Sequence, residues 1–252
     1  MEQKSARSFV AELVGTFLLV LFIGLVVSLT SREALGFTDW TAIGLVHAFV
    51  LAMLVAALAG VSGAHFNPAV TVALAAMNKI RRGDAAVYIV MQLIGGWLGA
   101  LFVRATIVDE GDPVNFGAAL VSKAFLAGNF NGMVLEGIGT FALMLAILGS
   151  FVIAKNKSDM APLIIGGTLG AAVMCIGPLT GGAFNPARAF GPLLVSGELG
   201  DNFGQFLVTY TAGPIIGALL AVFLVGYLYG EGGGKSSSAP REDVAEVTAD
   251  EV

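Results

Sequence analysis

Charge is scarce in this chain. Only 12% of its 252 residues are Asp, Glu, Lys or Arg, against 56% hydrophobic. The mean hydropathy is +0.86. A soluble domain of this size does not tolerate that balance. Positions 41–78 and 85–103 carry no charge, and 9–31 carries only Glu12. Cysteine is nearly missing too. Cys175 stands alone in an apolar run, which excludes a disulfide framework and a cysteine metal cluster. No basic patch is present, so nucleic acid is not a partner. The first apolar run lacks a small-residue cleavage site, so it reads as a spanning helix after Lys4 and Arg7, not as a removed leader.

What is present is length without charge. The uncharged stretches reach the roughly 20 residues needed to cross a ~30 Å hydrocarbon core. Six spanning helices are predicted, at about 9–30, 40–60, 85–107, 131–154, 160–178 and 204–229. Asn67-Pro68-Ala69 and Asn185-Pro186-Ala187 repeat one tripeptide, and a short apolar segment follows each. These segments, about 67–77 and 185–194, make helices of roughly 15 Å, half a bilayer. The connection 108–130 lies between the halves. From 230 to 252 a Gly-, Ser- and acid-rich tail is expected to be disordered and solvated.

The repeat extends beyond the tripeptides. Glu12-Leu13-Val14-Gly15-Thr16-Phe17 matches Glu136-Gly137-Ile138-Gly139-Thr140-Phe141, 124 positions on, and the tripeptides are 118 apart. Three spans per repeat force the halves, 9–107 and 131–229, into opposite orientations. The half-helices then enter from opposite faces and their N-termini meet near the midplane. Seven basic residues (Lys4, Arg7, Lys79, Arg81, Arg82, Lys155, Lys157) fall on one side and three (Arg32, Arg104, Lys123) on the other. The positive-inside rule puts both termini, including residues 1–8, in the cytoplasm and 108–130 outside.

Asn at the N-cap followed by Pro at N1 is a strong helix start. Each Asn oxygen caps its own helix, which leaves its NH2 for a lumen. Two positive helix ends facing each other disfavour a cation or proton there. The approaches are Gly-rich: Ser62-Gly63-Ala64-His65 and Thr180-Gly181-Gly182-Ala183. Irregular backbone at this depth lines water or is buried. Carbonyls of Gly63, Ala64 and His65, and of Gly181, Gly182 and Ala183, are therefore expected along two vestibules, with the His65 ring bracing its loop. Glu12 and Glu136 are intramembrane carboxylates at equivalent repeat positions, readable as a proton relay or as acceptors for nearby backbone. Gly95/Gly99, Gly166/Gly170 and Gly213/Gly217 allow close helix contact.

With these residues the chain resembles the aquaporins, the major intrinsic protein family, over about 8–229. The paired boxes, the Glu-x-x-Gly-Thr-Phe openings, Arg188 after the second box and Gly213-Pro214 carry the resemblance. It implies an all-α membrane protein with two re-entrant half-helices, inverted three-helix repeats and an hourglass pore. It also implies a homotetramer, passive transport, no cofactor and no catalytic site, and a structural role for Glu12 and Glu136.

The family's second filter carries over by distance from the boxes to His47, Val173, Gly182 and Arg188. This set departs from the Phe and His of ordinary water channels. It is similar to a subgroup of plant tonoplast intrinsic proteins with a wider filter that also carries ammonia. Bland alternatives are a packing histidine at 47 and an interface salt bridge at 188. Glycerol-conducting relatives carry Asp and a basic residue where Ala189 and Leu193 stand, which lowers that reading. A secondary transporter would need a coupling-ion site, for which Glu12 and Glu136 are the only candidates. A structural junction protein would need neither Arg188 nor a polar lumen. The expectation is a plasma-membrane channel for water and ammonia.

Overall fold

The computed structural model describes residues 4–31, 38–152 and 159–229. Arg32, Lys155, Lys157 and the tail from 230 lie outside them. The first half holds α1 (Ala6–Thr30), α2 (Trp40–Leu58), α3 (Pro68–Ala76) and α4 (Arg82–Thr106). A short α5 (Val108–Gly111) and a 3-10 segment, Asp112–Gly117, follow. The second half holds α6 (Asn129–Ile147), α7 (Ala161–Thr180), α8 (Pro186–Ser196), α9 (Phe203–Leu207) and α10 (Gly213–Tyr229). Six helical spans among the described residues are long and apolar enough to cross a membrane. The chain is an all-α multi-pass membrane protein, with α3 and α8 as the two half-helices.

Two predicted helices are less regular than their hydropathy implies. The sixth span is α9, a π turn at Val208–Ala212 and then α10. Pro214 supplies no N–H to the carbonyl four residues back, at Tyr210, so the ladder widens there. The fourth span also ends in a π turn, Leu148–Val152. Pro178 does not stop α7, which runs on to Thr180. Gly181 closes it by donating its N–H to Gly177 O at 2.8 Å, with φ +82°.

Helix pairing follows the internal symmetry. α1 packs on α4 as α6 packs on α10, and α2 packs on α7 between the halves. Each half-helix lies against the last helix of the other half, α8 on α4 and α3 on α10. Lipid cannot drive these contacts hydrophobically, so backbones must approach closely. The three Gly-x-x-x-Gly pairs mark the three long pairings. A Cβ on Gly99 would sit 2.6 Å from Phe17 O of α1. Gly166 and Gly170 face Ala48 O and Gly44 O of α2, and Gly213 and Gly217 face Met133 O and Gly137 O of α6. Gly191 of α8 meets Gly96 O of α4 in the same way, from a lone glycine with no motif.

Candidate functional site

The Glu-x-x-Gly-Thr-Phe openings and the boxes are parts of one device, built twice. Glu12 Oε1 accepts from Ser62 Oγ (2.6 Å) and His65 N (3.0 Å), and its Oε2 from Phe66 N (2.7 Å). Glu136 Oε1 accepts from Thr180 Oγ1 (2.6 Å) and Ala183 N (3.0 Å), and its Oε2 from Phe184 N (2.5 Å). Three positions on, Gly15 and Gly139 leave room for the rings of Phe66 and Phe184, which a Cβ would overlap. Ala64, Phe66 and Phe184 hold φ of +52°, +46° and +51°. Such values cost about 1–2 kcal/mol each in non-glycine residues. Carboxylate bonds to the adjoining N–H groups offset that strain, since hydrogen bonds to charged groups contribute about 1.5–3 kcal/mol.

The boxes then interlock. Asn67 Oδ1 accepts from Ala69 N (2.9 Å), and Asn185 Oδ1 from Ala187 N (2.9 Å) and Arg188 N (3.3 Å). Asn67 Nδ2 donates to Phe184 O and Asn185 Nδ2 to Phe66 O, both at 2.8 Å. The sequence reading left each NH2 wholly to a lumen. The structure spends one of its two hydrogens on the opposite loop and leaves one.

Two tyrosines complete the pattern. Tyr88 Oη donates to Ser62 O (2.8 Å) and Tyr210 Oη to Thr180 O (2.7 Å). Sequence reasoning missed them, although their 122-residue separation falls between the two repeat spacings it used. The first half has more: Gln92 Nε2 donates to Glu12 Oε2 (2.8 Å) and Thr71 Oγ1 (2.9 Å). Thr71 gives its own hydrogen to Asn67 O (3.0 Å), so His65 Nδ1, 3.1 Å from Thr71 Oγ1, is the donor in that contact. The His65 ring thus braces α3.

A cavity of about 270 Å³ passes the boxes. Its wall runs from Lys4 and Lys79 past Ser62 to Asn67, then Ala183 and Asn185, to His47 and Arg188. Leu19, Leu51, Leu143 and Leu169 make its apolar side. Gly63, Ala64, His65 and Ala183 line it, whereas Gly181, Gly182 and Val173 do not. Gly181 packs on Ala119, and Val173 is fully buried in the core cluster with Ile43 and Leu169.

At the far end, Arg188 and His47 are 2% and 1% exposed, so their hydrogen bonds decide their chemistry. Arg188 Nη1 donates to Gly117 O (2.9 Å), and its Nε has no protein partner. Asn115, Phe116 and Gly117 hold φ of +51°, +53° and +83°, which turns that carbonyl toward Arg188. His47 Nδ1 lies 2.8 Å from Ile43 O. A carbonyl only accepts, so Nδ1 carries the proton and the neutral ring keeps Nε2 as an acceptor, again without a protein partner. No His/Cys/Asp/Glu cluster that could hold a metal occurs among the described residues.

Six spans, two opposed half-helices capped by cross-bonded asparagines and a narrow cavity between them define a membrane channel. The family model for the major intrinsic proteins matches residues 1–225. A probable aquaporin AqpM from Archaeoglobus fulgidus is 37% identical over 244 residues, covering 90% of this chain and 99% of that one. Aquaporin TIP4-4 of Zea mays is 36% identical, covering 94% of this chain and 92% of that one. The aquaglyceroporin from Plasmodium falciparum, solved by X-ray crystallography, superposes with a TM-score of 0.71 at 26% identity, over 87% of this chain and 94% of that one. The chain belongs to the major intrinsic protein family. It is an aquaporin-type channel that carries water across a membrane, and not an enzyme.

Proposed function

We propose that this channel conducts neutral ammonia along with water and excludes protons and ions. The observation that carries the reading is the pair of buried polar side chains lining one cavity wall, His47 and Arg188, whose Nε2 and Nε have no protein partner. One accepts and the other donates. Water and ammonia can do both at once. Ammonium has no lone pair to accept from Arg188 and meets a like charge there. Val173 and Gly182 stand behind the wall that His47 and Arg188 line; Val173 adds no polar group and Gly182 no side chain, so this set of four leaves more room than a Phe/His pair would.

Proton exclusion rests on Asn67-Pro68-Ala69 and Asn185-Pro186-Ala187. Each Asn offers a passing water a donor at a positive helix end, which turns that water's hydrogens outward and breaks a relay. Carbonyls of Gly63, Ala64, His65 and Ala183 serve water in single file. Gly181 acts at one remove, by seating its loop on Ala119. Glu12 and Glu136 are structural: their lone pairs are engaged by backbone and side-chain donors. The assembled state is a homotetramer in the plasma membrane, with both termini cytoplasmic and 108–130 outside, as the basic residues suggest.

The test is ammonia-driven internal alkalinisation of proteoliposomes beside osmotic shrinkage, with glycerol as a third solute. The wild type is expected to pass ammonia, and His47→Phe with Val173→His to keep water flux and lose ammonia flux. Wild-type ammonia uptake no faster than bare lipid sinks the ammonia reading.

A further inference from the structure

A second cavity, of about 400 Å³, lies between α3 and the start of α4. Val72 and Ala76 of α3 and Ala86 and Ile89 of α4 line it with apolar side chains, and Asn78 and Arg82 are its polar members. It is separate from the conducting cavity, which Val70 and Leu74 of the same nine-residue helix line. Ala76, Asn78, Arg82 and Ala86 are exposed, so the hollow is reached from outside the bundle. Lys79 and Arg81 are exposed beside it, and among the described residues no carboxylate pairs with Arg81 or Arg82. Asp84, the acid nearest in sequence, is buried and accepts the Lys4 N–H at Oδ2 (3.1 Å). The equivalent turn after α8 has the opposite sign, with Glu198 and Asp201 and no cation from 197 to 202.

From Ala86 the apolar surface continues along α4. Val90, Ile94, Trp97 and Leu101 follow at steps of three or four residues, which keeps them on one face, and they are 37–50% exposed. From Ala86 to Leu101 the helix rises ~22 Å, more than the ~15 Å depth of one hydrocarbon leaflet. The positive-inside rule accounts for the sign of Lys79, Arg81 and Arg82 but not for a cavity beside them at the head of an apolar stripe. Cations at one end of a membrane-deep apolar stripe are complementary to a phospholipid of net negative charge.

We propose that the α3/α4 cavity is a binding site for one anionic phospholipid. Its phosphate sits at Arg82 and Asn78, within the field of Arg81 and Lys79, and an acyl chain lies in the hollow and down the α4 stripe. A guanidinium suits this task, because its planar fork of donors matches phosphate oxygens and is weakly hydrated. The alanines at 76 and 86 make the room for the chain, since a longer side chain at either would fill the hollow. A lipid seated there supports the back of the half-helix that Asn67 caps, whose other face lines the conducting cavity.

The test is retention of phosphatidylglycerol against phosphatidylcholine by the full chain in detergent, read by native mass spectrometry. The wild type is expected to keep phosphatidylglycerol in preference. Arg82→Gln should lower that preference about fivefold, and Arg81→Gln/Arg82→Gln should bring it to the phosphatidylcholine level. Ala76→Phe/Ala86→Phe keeps every charge but fills the hollow, and should lose phosphatidylglycerol too. All four substituted side chains are exposed, and gel filtration checks that each variant is folded. The two sets are independent, so either alone decides. Undiminished retention in the arginine variants overturns the site. Undiminished retention in the filled variant reduces binding to unspecific charge attraction and also overturns it. Displacement of the lipid by millimolar inorganic phosphate would mean a free-phosphate site instead. A wild type that keeps no phosphatidylglycerol overturns the proposal, as it would if a second copy of the chain covered this face.

Discussion

Replacing Glu136 with Gln tests whether the buried carboxylates hold the half-helices. Glu136 is fully buried, and its two oxygens take three donors: Thr180 Oγ1, Ala183 N and Phe184 N. A Gln side chain has one acceptor oxygen, so its NH2 must face a donor. The least costly seating keeps the oxygen on Thr180 and Ala183 and orphans the Phe184 N–H. Losing one bond to a charge costs about 1.5–3 kcal/mol, and the other two weaken. Removing a buried charge returns part of its desolvation penalty. The net is about 3 kcal/mol. At ~2–4 °C per kcal/mol for a chain of this size, the melting temperature in detergent should fall by about 6–12 °C. Water flux should fall with it, because Phe184 keeps φ +51° through that bond and its carbonyl receives Asn67 Nδ2. A Glu136→Gln protein with unchanged melting temperature and unchanged flux would refute the structural role.

Other substitutions probe other joints. Asn67→Ala removes the cap on α3 and the bond to Phe184 O, so stability should drop by about 1–2 kcal/mol in a thermal melt and water flux should drop in stopped-flow. Gly217→Val would drive a side chain into Gly137 O, and gel filtration should recover no folded channel. Cys175 is exposed and outside the cavity wall, so mercury should label it, as read by mass, without slowing water. Strong, reversible block would show that Cys175 reaches the lumen. Arg188→Val removes the guanidinium from the constriction and should let ions leak, measured as vesicle conductance.

The elements governed by hydropathy and by local helix chemistry were legible from residues alone. Six apolar runs became six spans, and each Asn-Pro-Ala became a capped half-helix, because capping is local. The three glycine pairs foretold the three long helix contacts, since only missing side chains let backbones meet. What stayed hidden was reach across the fold. Nothing near Asn67 announces Phe184 O as its partner 117 residues away. Gly117 O, which receives Arg188, depends on three consecutive left-handed residues that no hydropathy pattern marks. The π turn before Gly213 is written only as Pro214, which suits an ordinary helix end equally well. Val173 and Gly182 were assigned to the filter by counting from the boxes; Val173 sits in the core cluster with Ile43 and Leu169, and Gly182 in the left-handed loop before Asn185, both behind the wall that His47 and Arg188 line.

The most direct measurement is ammonia flux beside water flux in the same proteoliposomes, read by stopped-flow. The account predicts fast water shrinkage together with ammonia uptake well above bare lipid, and no conductance. Fast water with ammonia at the lipid background would contradict the donor and acceptor roles given to Arg188 and His47.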